Sequence, residues 1–166
     1  MLHLLANNKW VSHRKITLMA TLHNEITINA PVEKIWSNLT DLELLEKYDP
    51  TVRKSTLIST GKSGPGAKRK VDMLDGKNWF EEKVTVFKAN QALTYELTGC
   101  SFPVQSLRHS YSFEKVGNQT KVKQVMEYTV KFGLLGRLLD VLMIRKQSDT
   151  GIKKFFDGLK SYTETH

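Results

Sequence analysis

The chain has 166 residues, 40% of them hydrophobic and 25% charged, which are the proportions of one folded domain and not of a disordered segment. Its single cysteine, Cys100, excludes an intramolecular disulfide and argues against a cysteine-built metal cluster, and apolar runs of only a few residues exclude a membrane-spanning helix. Lysine and arginine outnumber aspartate and glutamate by 25 to 17, for a net charge of +8; such a balance attracts anionic membrane surfaces, nucleic acid or acidic ligands without choosing among them.

The charge is uneven. Residues 1–24 carry Lys9, Arg14 and Lys15 and no acid, and Glu25 is the first carboxylate. The stretch is basic like a targeting leader. However, Asn7, Asn8 and Lys9 break its apolar run, and no clear small-residue cleavage site follows. It is read as a basic extension, 1–19, ahead of a core at 20–166, and the expected location is cytoplasmic.

The first strand is read over 26–29, starting near Thr21 at the earliest, from its alternation and β-branched content. Pro31 and Glu33 then suit the first turn of a helix whose face carries Val32, Ile35, Trp36 and Leu39. Asp41 suits the N-cap of a second short helix over 42–47, which Asp49-Pro50 ends. Six strands follow, over 52–60, 67–74, 77–87, 92–98, 104–116 and 120–132. Turn-formers separate them, Asp75-Gly76 and Gly117-Asn118 being tight hairpin signals. From Leu134 the pattern is helical almost to the end. The expectation is an α+β fold: a seven-stranded antiparallel sheet curving around one long C-terminal helix, with two short helices between the first strands.

Strand alternation assigns an inner face. Over 67–74 it takes Arg69, Val71 and Met73; over 77–87 Phe80, Glu82, Val84 and Val86, with Trp79 and Phe87 opposite. Over 92–98 it takes Leu93, Tyr95 and Leu97; over 104–116 Leu107, His109, Tyr111 and Phe113. Over 120–132 it takes Val122, Gln124, Met126, Tyr128, Val130 and Phe132. On the long helix Leu134, Leu135, Leu138, Val141, Leu142, Ile152, Phe156 and Leu159 form a stripe whose centre is polar: Arg145, Ser148 and Asp149. Two readings stand for that centre. Either Arg145 and Asp149 form a solvent-edge pair at a bend near Gly151, or they face a hydrated cavity. An apolar wall with sparse polar groups is the composition of a small-molecule site. Each polar group also has a plain structural reading. His109 suits a hydrogen-bonded core histidine, and Arg69 with Glu82 suits a cross-strand ion pair.

These segments resemble the START-like, Bet v 1-like (SRPBCC) superfamily, and within it the polyketide cyclase/dehydrase and lipid-transport family. The marks are Ile28-Asn29-Ala30-Pro31-Val32-Glu33-Lys34-Ile35-Trp36, Asp41 through Tyr48-Asp49-Pro50, Gly64-Pro65-Gly66 leading to Arg69 and Val71, Phe80-Glu81-Glu82-Lys83-Val84, Tyr95, and Gly133-Leu134-Leu135-Gly136-Arg137-Leu138-Leu139. The resemblance implies a helix-grip fold with a hydrophobic cavity between sheet and helix. It also implies a gate near the loops at 61–66 and 99–103, and binding of a lipid, a polyketide or a similar molecule. A minority of such proteins are cyclases, and His109 with Glu82, Arg69 and the tyrosines is the one constellation here suited to acid/base work on a ketide.

No phosphate loop, nucleophile elbow or metal-ligand spacing is present, and no cofactor is expected. The basic residues are dispersed and no base-stacking motif accompanies them, so no specific nucleic-acid partner is expected. The charge suits transient contact with an anionic membrane surface. The expectation is a hydrophobic-ligand binder with a hollow, oily interior. A cyclase/dehydratase and a protein-interaction scaffold are the alternatives.

Overall fold

Seven stretches of alternating side chains become seven strands, and every neighbouring pair runs antiparallel in the order β1-β7-β6-β5-β4-β3-β2. They are β1 (Met19–Ile28), β2 (Val52–Leu57), β3 (Lys68–Met73), β4 (Trp79–Lys88), β5 (Ala92–Cys100), β6 (Val104–Val116) and β7 (Gln119–Val130). The computed structural model describes residues 19–131 and 145–166, with no side-chain description for Arg145 and Gln147. Phe132 and the expected helical stretch 134–144 lie outside the described residues, as does the extension 1–18. No helix among the described residues is long and apolar enough to cross a membrane.

Between β1 and β2 lie α1 (Val32–Thr40) and α2 (Leu45–Tyr48). Pro31 sits at the N-cap of α1 with φ −66°, a value its ring imposes. Ile35 and Leu39 are buried, while the half-buried Trp36 packs edge-on against Phe87 at 4.9 Å and Phe113 at 5.9 Å. The second helix starts later than the sequence suggests. Asp41 accepts from the Glu43 and Leu44 amides through its Oδ1 and its carbonyl, forming a turn, and the helix proper begins only at Leu45.

The C-terminal helix, α3 (Arg145–Thr165), runs without a break through Gly151. It packs Phe155 against Tyr111 of β6, and Lys160 donates to the Thr27 carbonyl of β1, 2.9 Å away. One helix thus touches both the centre and one edge of the sheet, which the sheet must curve to allow. Ile152, Phe155, Phe156 and Leu159 are its buried face. Asn38 of α1 donates to Thr163 Oγ1 at 2.9 Å, tying the helix end to the short helices.

In β4 the assigned inner face holds for Phe80, Glu82 and Val84 but not for Val86. The register with β5 shifts between Val84 and Val86, so Val86 pairs with Thr94 and Phe87 pairs with Leu93. A bulge at Thr85 adds one residue and reverses the alternation. Phe87 therefore turns inward to meet Trp36.

Gly158 sits where α3 crosses the end of α2. A Cβ there would lie 1.8 Å from the Tyr48 carbonyl oxygen, whereas one on Gly151 would meet nothing within 4 Å. Alanine normally stabilises a helix interior by up to about 1 kcal/mol over glycine. Gly151→Ala should show that gain. Gly158→Ala should instead lose about 1–3 kcal/mol through overpacking. Urea unfolding of the two variants reads the contrast, and equal shifts would refute the close crossing.

Candidate functional site

Register builds the inner wall row by row. One row aligns Asn24, Gln124 and Tyr111 across β1, β7 and β6. The Gln124 amide donates to the Tyr111 hydroxyl at 2.8 Å, and Asn24 reaches Gln124 Oε1 more weakly at 3.4 Å. The next row aligns Leu22, Met126, His109, Tyr95 and Val84. A third carries Tyr128 opposite Leu107, and Leu97 opposite Glu82, which pairs with Arg69.

The third row holds a buried ion pair. Arg69 and Glu82 are 6% and 5% exposed. Arg69 Nε donates to Glu82 Oε1 at 2.7 Å, and Nη2 contacts the same oxygen. The guanidinium carbon lies 4.7 Å from the centroid of the Tyr95 ring, within cation–π range. Burial opposes the charge on Arg69, but Glu82 and the surrounding rings more than offset it and keep the guanidinium protonated. The Tyr95 hydroxyl donates to the Leu39 carbonyl at 2.7 Å. Burial pushes the Tyr48, Tyr95 and Tyr111 hydroxyls well above their ordinary ionisation range, so all three stay neutral.

Two buried nitrogens on this wall have no hydrogen-bond partner among the described residues: Arg69 Nη1 and His109 Nε2. Native interiors rarely leave such atoms unmatched. Burial lowers the His109 pKa, Glu82 nearby raises it less and Arg69 lowers it further, so the ring is neutral at neutral pH.

Packing along the wall is unequal. Its middle is filled: Tyr111, Met126 and Phe156 are all buried, and Phe155 meets Tyr48 at 5.8 Å and Tyr111 at 6.1 Å. The expected hollow does not extend through this aromatic plug. Toward the Asp75-Gly76 turn and the loop at 101–103, the side chains of Met73, Phe80, Leu97, Leu107 and His109 face inward yet stay only half-buried. Each of these residues keeps some solvent exposure at this end of the wall.

The other expected site residues divide plainly. Val71, Val84, Tyr128 and Ile152 are buried. Ser148 is half-buried and Asp149 is exposed to solvent. The side chain of Arg145 lies outside the described residues. Sequence reading missed Asn24 and Tyr48. The Leu22-Asn24-Ile26 alternation of β1 held the signal for Asn24, and the i, i+3 spacing of Leu45 and Tyr48 held it for Tyr48.

A separate surface hollow of about 420 Å³ opens beside Pro31, Glu33, Asn90 and the β6–β7 turn. None of Arg69, Glu82, His109 and Gln124 borders it. Among the described residues no group of three or more histidine, cysteine, aspartate or glutamate side chains is placed to hold a metal ion.

The family described as polyketide cyclase/dehydrase and lipid transport matches residues 19–164. The chain belongs to that family. Its curved sheet and C-terminal helix are similar to those in the crystal structure of Ara h 8.0201, with a TM-score of 0.72 over 89% of this chain and 99% of that one, at 18% identity. At that identity the likeness speaks for fold alone. No curated protein matches the chain.

A neutral His109 ring has a consequence for stability. Its folded pKa lies below the ordinary 6.5, so on acidification the unfolded chain takes up the proton first. Stability is complete above that value and falls below it, by up to about 1.4 kcal/mol per pH unit until the folded ring itself titrates. Urea midpoints for wild type and His109→Gln from about pH 7.5 to about pH 5 should diverge, with the wild type losing more. Parallel curves would mean that the ring is not held neutral.

Proposed function

We propose that the protein binds a hydrophobic small molecule, of lipid or polyketide type, at the half-buried end of its inner face. The observation that carries this reading is the pair of unmatched nitrogens, Arg69 Nη1 and His109 Nε2, on a wall that is otherwise oily and still accessible at Met73, Leu97 and Leu107. An apolar ligand would gain from leaving water, roughly 25 cal/mol for each Å² of apolar surface buried. The unmatched donors would orient its polar end. Membership of a family whose description joins cyclases to lipid transport supports the same class of ligand. Carriage of that ligand between membranes is consistent with the net charge of +8, which favours encounters with anionic headgroups.

A second reading is a cyclase/dehydratase in which His109 acts as acid/base. The neutral ring with its unmatched Nε2 favours it.

Native mass spectrometry of the mildly purified full chain tests both. The binding reading expects a non-covalent adduct of lipid-like mass. Loss of water from that adduct on standing would identify the cyclase/dehydratase instead. Protein that is repeatedly empty from several hosts would overturn ligand binding.

A further inference from the structure

The charges on the described inner face cancel. Arg69 contributes one positive charge and Glu82 one negative charge, joined through Glu82 Oε1. The other polar side chains of the inner-face rows, among them Asn24, Gln124, Tyr95, Tyr111 and the His109 ring, carry none. An entering carboxylate would therefore bring an unbalanced charge into an apolar space, at a cost of several kcal/mol. Arg69 offers such a group little in return, because Glu82 already neutralises it.

What the wall does offer is hydrogen bonding. The two unmatched nitrogens flank one ring: the Arg69 guanidinium lies over Tyr95, and His109 is the register partner of Tyr95 on β6. Arg69 Nη1 can only donate. His109 Nε2 donates or accepts according to its tautomer. A hydroxyl oxygen suits either nitrogen, since it can accept from Arg69 Nη1 or, at His109 Nε2, donate or accept. A carbonyl oxygen satisfies the tautomer in which Nε2 carries the proton.

We propose that the interior selects molecules whose polar end is an uncharged oxygen, a hydroxyl or a carbonyl on an apolar body, and rejects their carboxylate counterparts. The proposal rests on the inner face being the ligand site. Under it, the Arg69–Glu82 pair is a specificity element: Glu82 holds Arg69 as a neutralised donor and so excludes anions.

The test is displacement of Nile red, an uncharged dye, from the full-length protein at neutral pH by decanol and by decanoate. Wild type should bind the dye and release it to decanol at concentrations at least about tenfold below those needed with decanoate. Glu82→Gln leaves Arg69 with an unmatched charge and should narrow or reverse that preference. Wild type that prefers decanoate, or accepts both equally, overturns the selectivity while leaving the site standing. A preference unchanged in folded Glu82→Gln overturns the role of the ion pair. Failure of Nile red to bind at all overturns the site itself, and the selectivity with it. Should Glu82→Gln not fold, the wild-type comparison alone decides against or for the selectivity.

Discussion

Arg69 and Glu82 must be buried together or not at all. Each ion leaves water at a cost of several kcal/mol, and their attraction compensates only with close geometry and satisfied hydrogen bonds. The sheet supplies the geometry, because register sets Arg69 directly opposite Glu82 on adjacent strands and Tyr95 on the next strand lies under the guanidinium. Removing either partner would strand a charge, at a cost of about 3–5 kcal/mol. A pair of this kind adds little net stability compared with packed hydrocarbon. Its presence on an inner wall that could have been wholly apolar points to selection for something other than stability. The unmatched Nη1 of the same guanidinium is consistent with that.

The rest of the core follows from where this polar row sits. On one side of it the interior is closed by rings: Tyr48, Tyr111, Phe155 and Phe156 form a continuous aromatic contact. That closure depends on α3 lying hard against α2, which only a glycine at 158 permits. At the far rim Trp36 covers Phe87 and Phe113. Along the ion-pair row and the row beside it, Leu97, Leu107 and His109 are only half-buried among the described residues. The wall is closed by rings at one end, and the ion pair shares its row with the half-buried Leu97 and Leu107.

Much of this was legible in the chain before any coordinates. Alternation is a short-range signal, and it placed Arg69, Tyr95, His109, Tyr111 and Gln124 on one face because the register runs unshifted around those residues. It failed at Val86, since a bulge reverses the faces and no residue type announces one at Thr85. The helical wheel joined Asp149 to the apolar stripe by angle alone. In the fold that position is exposed, because what matters is which neighbour covers each turn. The filling of the middle was not legible either. Whether Tyr111 and Phe155 meet depends on the distance between helix and sheet, which the pattern of neither element carries. Family marks read the fold well, since the opening Pro31-Val32-Glu33 turn and the order of elements are shared requirements of one architecture. They say little about the ligand, since one architecture hosts many sites.

The central claim is that accessible space lies against the inner wall beyond the aromatic plug, and xenon gas reports such space without knowledge of the ligand. With methionine methyl groups labelled for NMR, xenon pressure should shift Met73, on the half-buried part of the inner face, and leave Met126 in the filled middle and the solvent-facing Met19 nearly unmoved. Identical small responses at all three would mean that the interior is solid, and no ligand could enter it.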